Sequence, residues 1–216
     1  MPGKISQLDA WTDVTAFRGP LAPGPEGAPS RSAQPFWTAQ VMRLGEDGRP
    51  ELARMRWAFS KGSGKKHDGH MHARGETVDS TMRFAEAFAD RRGILMVETF
   101  NVKKTVSEGK AEQWVVRPRD RKPLALAVIW EEPEDADVPA FCMITVPANK
   151  ALEAFEDRMP AILDQKDWAV WLGEAEASHK EIKALLKTFD DAGGWELSPQ
   201  AQKTEEPKAK PQMDLF

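Results

Sequence analysis

FWTAQVMRLGEDGRPELARMRWAF, residues 36–59, carries the clearest local signal in the chain. Phe36 to Leu44 and Leu52 to Phe59 each read as a strand, and Gly45-Glu46-Asp47-Gly48 between them has turn chemistry. The stretch therefore predicts a β-hairpin. On its C-terminal side, Ile94 to Phe100, Gln113 to Val116, Leu124 to Trp130 and Phe141 to Val146 predict further strands. Helical signals are interleaved and then dominate. Ser80 is placed to cap a helix with Phe84, Ala85 and Phe88 on one face, ending at Arg91-Arg92. Ala148 to Phe155 predicts a helix, as does Asp164 to Leu172 with Asp164 as its cap. Ser178 with Glu181 makes a capping box, and Ile182, Leu185, Leu186 and Phe189 follow at helical spacing, which predicts a helix from Ser178 to Phe189. On the N-terminal side, residues 5–17 suit a short strand or helix. The Gly- and Pro-rich run Gly19 to Pro29 predicts a loop, and KGSGKKHDG (61–69) a basic one. The fold class expected is α+β.

The chain has 216 residues, which suits one domain plus tails. No apolar run approaches the ~20 residues of a membrane helix, and Met1-Pro2-Gly3-Lys4 opens no secretory signal. A cytoplasmic protein without membrane contact is expected. The single cysteine, Cys142, excludes an intramolecular disulfide and a multi-cysteine metal site. A net charge of −4 argues against uniform coating of nucleic acid. It leaves room for a local basic groove, because acidic tails mask one in the total.

From Ser198 the composition turns polar and Pro-interrupted, so residues 198–216 are expected to be a disordered tail behind a domain of residues 1–197. The tail ends in three large apolar residues out of five. Gln212-Met213-Asp214-Leu215-Phe216 resembles the Q-L-[SD]-L-F peptide by which bacterial polymerases and repair factors dock on the DNA sliding clamp, with Met213 in place of Leu. The plainer alternative is an end that packs on its own domain or does nothing.

A longer resemblance runs through the domain. Met55-Arg56-Trp57, then His72-Ala73-Arg74-Gly75-Glu76-Thr77, then Arg91-Arg92 before a hydrophobic strand, then Ile144-Thr145 to Ala148-Asn149, then Asp157-Arg158-Met159-Pro160 occur in this order. Their spacing resembles the SOS-response-associated peptidase family, whose patterns run M-R-W-G, N-A-R-x-E-T, R-R-C, G-F-Y-E-W and H-x-R-M-P. The resemblance implies a compact mixed β-sheet or barrel-like core with several helices, and a positively charged groove for single-stranded DNA. It also implies a covalent link to abasic sites through the Cys after the initiator Met.

This chain departs from that pattern where the chemistry lies. Pro2 stands where the family has Cys, His72 replaces the Asn of N-A-R, Val102 replaces the Glu of F-Y-E-W, and Glu156 replaces the His of H-x-R-M-P. Lys4, Arg56, Trp57, Arg74 and Arg158 keep the family's charge or type. The resemblance makes them DNA contacts, Arg by its phosphate-matching fork and Trp by stacking an unpaired base. Structural ion pairs and core packing are the alternatives for the same side chains. Lys61, Lys65, Lys66, Lys103 and Lys104 would add positive charge.

Pro2 keeps one route to chemistry. If Met1 is removed, its secondary amine can condense with an abasic-site aldehyde, with Glu156 or His72 moving a proton. The alternative is that Pro2 marks a lost nucleophile. His67, His70 and His72 have a spacing that can bind zinc, but their Gly- and Lys-rich surroundings fit a loop better. No metal or cofactor is expected. Three readings result: a catalytically degenerate binder of single-stranded or abasic DNA recruited to the sliding clamp, an abasic-site enzyme using Pro2, or a protein-binding module on the same fold.

Overall fold

The computed structural model describes residues 3–7, 32–61, 68–107, 110–133, 137–189 and 194–200. In it the hairpin of residues 36–59 forms as β3 (Thr38–Leu44) and β4 (Pro50–Trp57), with Thr38 opposite Arg56 and Leu44 opposite Pro50. Gly48 closes the turn at φ +75°, a conformation that glycine adopts without steric cost, and its N–H donates to Gly45 O at 3.0 Å.

The hairpin is part of a closed ring. β4 lies parallel to β11 (Ala140–Pro147), β11 is antiparallel to β10 (Leu124–Glu131), and β10 is antiparallel to β8 (Arg92–Ser107). β8 then pairs with β3 and returns to the hairpin. Closure removes the exposed strand edges that an open sheet must protect. Gly93 sits at the seam, opposite both Arg43 of β3 and Val128 of β10. A Cβ there would lie 2.7 Å from Val41 Cγ1 and 3.0 Å from Met42 O. Only glycine lets the two neighbours approach so closely.

Eleven described strands share this sheet. β8 outruns the ring: its second half pairs with β9 (Lys110–Pro118), which also carries β13 (Trp195–Pro199). β1 (Ile5–Gln7) lies on β8 with Ile5 opposite Phe100, and carries β2 (Ser32–Ala33). β7 (His72–Arg74) and β12 (Arg158–Pro160) are short additions to β11. A separate two-stranded ribbon joins β5 (Phe59–Ser60) to β6 (Gly69–His70). Trp57, Phe59, Phe88, Phe100, Phe141 and Trp171 are among the largest fully buried side chains.

The fold is α+β with a mixed sheet, as the sequence implies, but its helices are shorter than periodicity predicts. α1 covers Ala85–Asp90, behind turns that begin at Gly75 rather than a helix capped by Ser80. α2 covers Trp168–Leu172 after a 3-10 turn at Gln165–Asp167, and the Asp164 side chain makes no cap bond.

α3 covers His179–Ala184 with the capping box at Ser178 and Glu181 in place. The chain then leaves the helix because tertiary bonds take its next turn: Thr188 Oγ1 donates to Pro147 O at 3.0 Å, and Asn149 Nδ2 donates to Phe189 O at 2.9 Å. Within 148–155 no helix forms, and residues 150–155 are turns. The Asn149 side chain accepts from Leu152 N at 3.2 Å, an alternative to helical bonding that Asn commonly supplies. At the C-terminal side, β13 carries Ser198 and Pro199 into the sheet, past the point where composition changes. Residues 201–216 lie outside the described residues.

Candidate nucleic-acid interface

β11 is the spine of the site. β4 and β7 run along one of its edges, β10 and β12 along the other. His72 stands beside Met143, Arg74 beside Thr145, and Arg158 opposite Pro147, so the two motif blocks that carry Arg74 and Arg158 meet across one strand. Arg158 is buried. Its Nη1 and Nη2 donate to the two carboxylate oxygens of Glu76 at 2.9 and 2.7 Å, its Nε donates to Thr145 Oγ1 at 3.0 Å, and Nη2 also donates to Thr145 O at 2.6 Å. These bonds hold the Glu76 carboxyl below its ordinary pKa. Lys183 extends the network with one bond to Glu76 O and an ion pair to Asp79.

Of the two alternatives for Arg158, then, the structure takes the internal ion pair. Trp57 likewise takes the packing role and presents no face to a base. It has no solvent exposure, stacks on Phe141 at 5.9 Å, meets His72 edge-on and donates from Nε1 to Met71 O at 3.0 Å. Arg56 donates to Ala58 O at 3.3 Å and lies over the Phe36 ring. Arg74, in contrast, is exposed. It brings a cation to the surface next to Thr145 and the Arg158–Glu76 pair.

The second part of the site is the outer half of β8. Lys4 O accepts from Asn101 N at 2.9 Å, which ties the described chain start to β8. Two residues along, Lys103 N donates to Glu156 Oε1 at 3.0 Å. Val102 lies between, fully buried and opposite Trp114 of β9. The substituted family positions 102 and 156 are thus brought together, with an apolar side chain at one and a carboxylate held by a backbone N–H at the other. Asn101 is buried too and donates from Nδ2 to Gln200 Oε1 at 2.8 Å. His72 stands apart from Glu156 in its contacts, packed against Trp57 on β11's other flank. Pro2, Lys65, Lys66, His67 and Gln212 to Phe216 lie outside the described residues.

Sequence reasoning passed over Glu76 as the partner of Arg158, and Asn101 as a buried tie between β8 and the end of β13. The first had a signal, since an acid and a base each recur inside a motif block. The second had none, because its partner is 99 residues away. Among the described residues no group of three His, Cys, Asp or Glu side chains is gathered to hold a metal ion. His70 packs against Phe84, and its pKa is lowered by burial and by the charges of Arg83 and Lys61. Cys142 is buried inside β11, and burial pushes its thiol pKa well up. No described helix is long and apolar enough to cross a membrane.

Comparison with known proteins agrees with this geometry. The abasic site processing protein YoqW of Bacillus subtilis (strain 168) is 24% identical over 175 residues, covering 77% of each chain. Its namesake in Bacillus phage SPbeta gives the same figures. Among solved structures, a protein of Bordetella bronchiseptica superposes with a TM-score of 0.77 at 17% identity, covering 93% of this chain and 100% of that one. A protein of Bacteroides thetaiotaomicron does so with a TM-score of 0.75 at 18% identity, covering 91% and 90%. The profile described as SOS response associated peptidase (SRAP) matches residues 3–204, nearly the whole length, and the chain belongs to that family.

Proposed function

We propose that this protein acts in the response to DNA damage by binding single-stranded or abasic-site DNA without the covalent thiol step, and that its tail brings it to the sliding clamp. The observation that carries the reading is the pairing of positions 102 and 156. A buried Val and a backbone-held Glu stand where the family pattern has Glu and His, while exposed Arg74, beside Thr145 on β11, keeps a phosphate-matching fork. Family membership and the relative named for abasic-site processing support the DNA class. Pro2 supplies no thiol, so a thiazolidine, which needs an amine and a thiol on one residue, has no donor. In the tail, Gln212, Met213 and Asp214 would present the docking peptide, with Leu215 and Phe216 as its buried anchors.

A second reading, abasic-site cleavage through the Pro2 amine, is favoured by one feature. The described chain start is tied to Asn101, two residues from the N–H that holds Glu156. Intact mass after incubation with abasic single-stranded DNA separates the readings. The binding reading expects no stable adduct and no borohydride-trapped adduct above that of a surface lysine. A strong trapped adduct lost on blocking the Pro2 amine, with strand cleavage, would establish the enzyme. No binding to DNA at low salt would point instead to a protein partner.

A further inference from the structure

Four indole N–H groups in the described chain are pinned by carbonyls: Trp57 by Met71, Trp130 by Arg92, Trp168 by Leu163 and Trp171 by Gly93. Trp114 and Trp195 are not: the Nε1 of each is buried with no hydrogen-bond partner, but Trp195 is buried as a whole, whereas the Trp114 ring stays partly open to solvent. An indole held by packing alone is freer to adjust to a ligand than one anchored at its polar end.

The surroundings of Trp114 point to what that ligand is. Its ring meets Phe155 edge to face with centroids 5.2 Å apart, and Phe155 is also partly open. Lys104 Nζ lies 5.5 Å from the centroid of each ring. Phe155 immediately precedes Glu156, and Lys104 immediately follows the residue whose N–H holds it. Two partly exposed aromatic rings and a cation thus flank the pair of positions 102 and 156. Aromatic platforms beside cations are how proteins hold unpaired bases, because every base offers a π-face and every link between nucleotides a phosphate.

We propose that Trp114, Phe155 and Lys104 form a nucleobase-stacking subsite beside Glu156. A base of single-stranded DNA lies against the Trp114–Phe155 pair, and the Lys104 amine moves from over the rings to the flanking phosphate, exchanging a cation–π contact for a charge-assisted hydrogen bond. The subsite rests on the DNA-binding reading above and gives it a stacking residue in place of the buried Trp57.

The test compares two labelled single strands of equal length by fluorescence anisotropy at low salt, using the full chain. One is oligothymidylate, and the other carries base-free sugar analogues throughout, so that phosphates are matched and bases are not. Trp114→Leu and Phe155→Leu keep apolar bulk and remove the aromatic face, with folding checked by circular dichroism. The subsite requires that wild type prefer oligothymidylate, that each variant bind it about tenfold more weakly, and that binding to the base-free strand stay unchanged. Lys104→Ala should weaken both strands. If the wild type binds DNA but both Leu variants, or Phe155→Leu and Trp114→Met should Trp114→Leu not fold, keep full preference for bases, the subsite is overturned and the DNA reading stands. If the wild type binds neither strand, the DNA reading fails and takes the subsite with it.

Discussion

Arg158 and Glu76 come from motif blocks 82 residues apart and meet as a two-bond fork, with Thr145 completing the guanidinium's partners. Removing either end has unequal consequences. The Arg158 side chain is 11% exposed and that of Glu76 is 47% exposed. Glu76→Ala leaves a buried cation unpaired, whereas Arg158→Ala leaves a carboxylate that water can reach. Glu76→Ala should therefore cost about 2 kcal/mol, below the full range for a buried pair because the carboxylate is half exposed. Urea denaturation should place Glu76→Ala below Arg158→Ala in midpoint; the reverse order would mean that the pair is not what holds Arg158.

The same pair makes stability depend on acid. The folded pKa of Glu76 is lowered by Arg158, and that of Asp79 by Lys183. A depressed carboxyl pKa adds stability that is complete above the unfolded value, roughly 4. That stability is lost as pH falls through the folded value. Melting temperature should drop from about pH 5 downward, and Glu76→Gln should flatten the drop. A Glu76→Gln slope as steep as the wild type's would count against the linkage.

At the barrel seam, Gly93→Ala should lower stability by about 1–3 kcal/mol, because the new Cβ must displace Val41 or the Met42 carbonyl. Gly93→Val should prevent folding. Thermal melts that match the wild type would show that the ring opens at no cost.

Arg74 is the side chain to vary for DNA. Arg74→Ala should weaken binding to single strands and reduce the slope of affinity against salt, since one phosphate contact fewer releases fewer cations. Its melting temperature should stay near that of the wild type because the residue is exposed. Unchanged affinity would move the phosphate contacts elsewhere on the surface.

For the tail, changing Leu215 and Phe216 together to Ala should abolish sliding-clamp binding and leave the melt unaltered, since a few apolar anchors carry most of such an interface. Surface plasmon resonance on immobilised clamp measures this, and full retention of affinity would remove the docking role.

The strands were legible where alternation or apolar runs were long enough to be independent of context. β3, β4, β10 and β11 form within a few residues of where periodicity puts them. The helices were overextended. In the 178–189 segment the apolar spacing is real, yet Leu185, Leu186 and Phe189 reach the core from a chain that Thr188 and Asn149 have already pulled out of helical bonding. β7 and β12 had no signal of their own, being three residues each and made strands only by β11. At the site, residue type located Arg158 and Trp57 but not their orientation. Whether an Arg faces a phosphate or a Glu is decided by what the topology sets beside it.

Cys142 has a practical consequence. The thiolate is what reacts with alkylating reagents, and a buried thiol with a raised pKa forms little of it near neutral pH. The native protein should therefore be silent to maleimide labelling. Any cysteine introduced at the surface then becomes the single reactive thiol. A spectroscopic probe or crosslinker can be placed on the β8 arm or the tail with no background, and Pro2→Cys can be assayed for adduct formation knowing which sulfur has reacted.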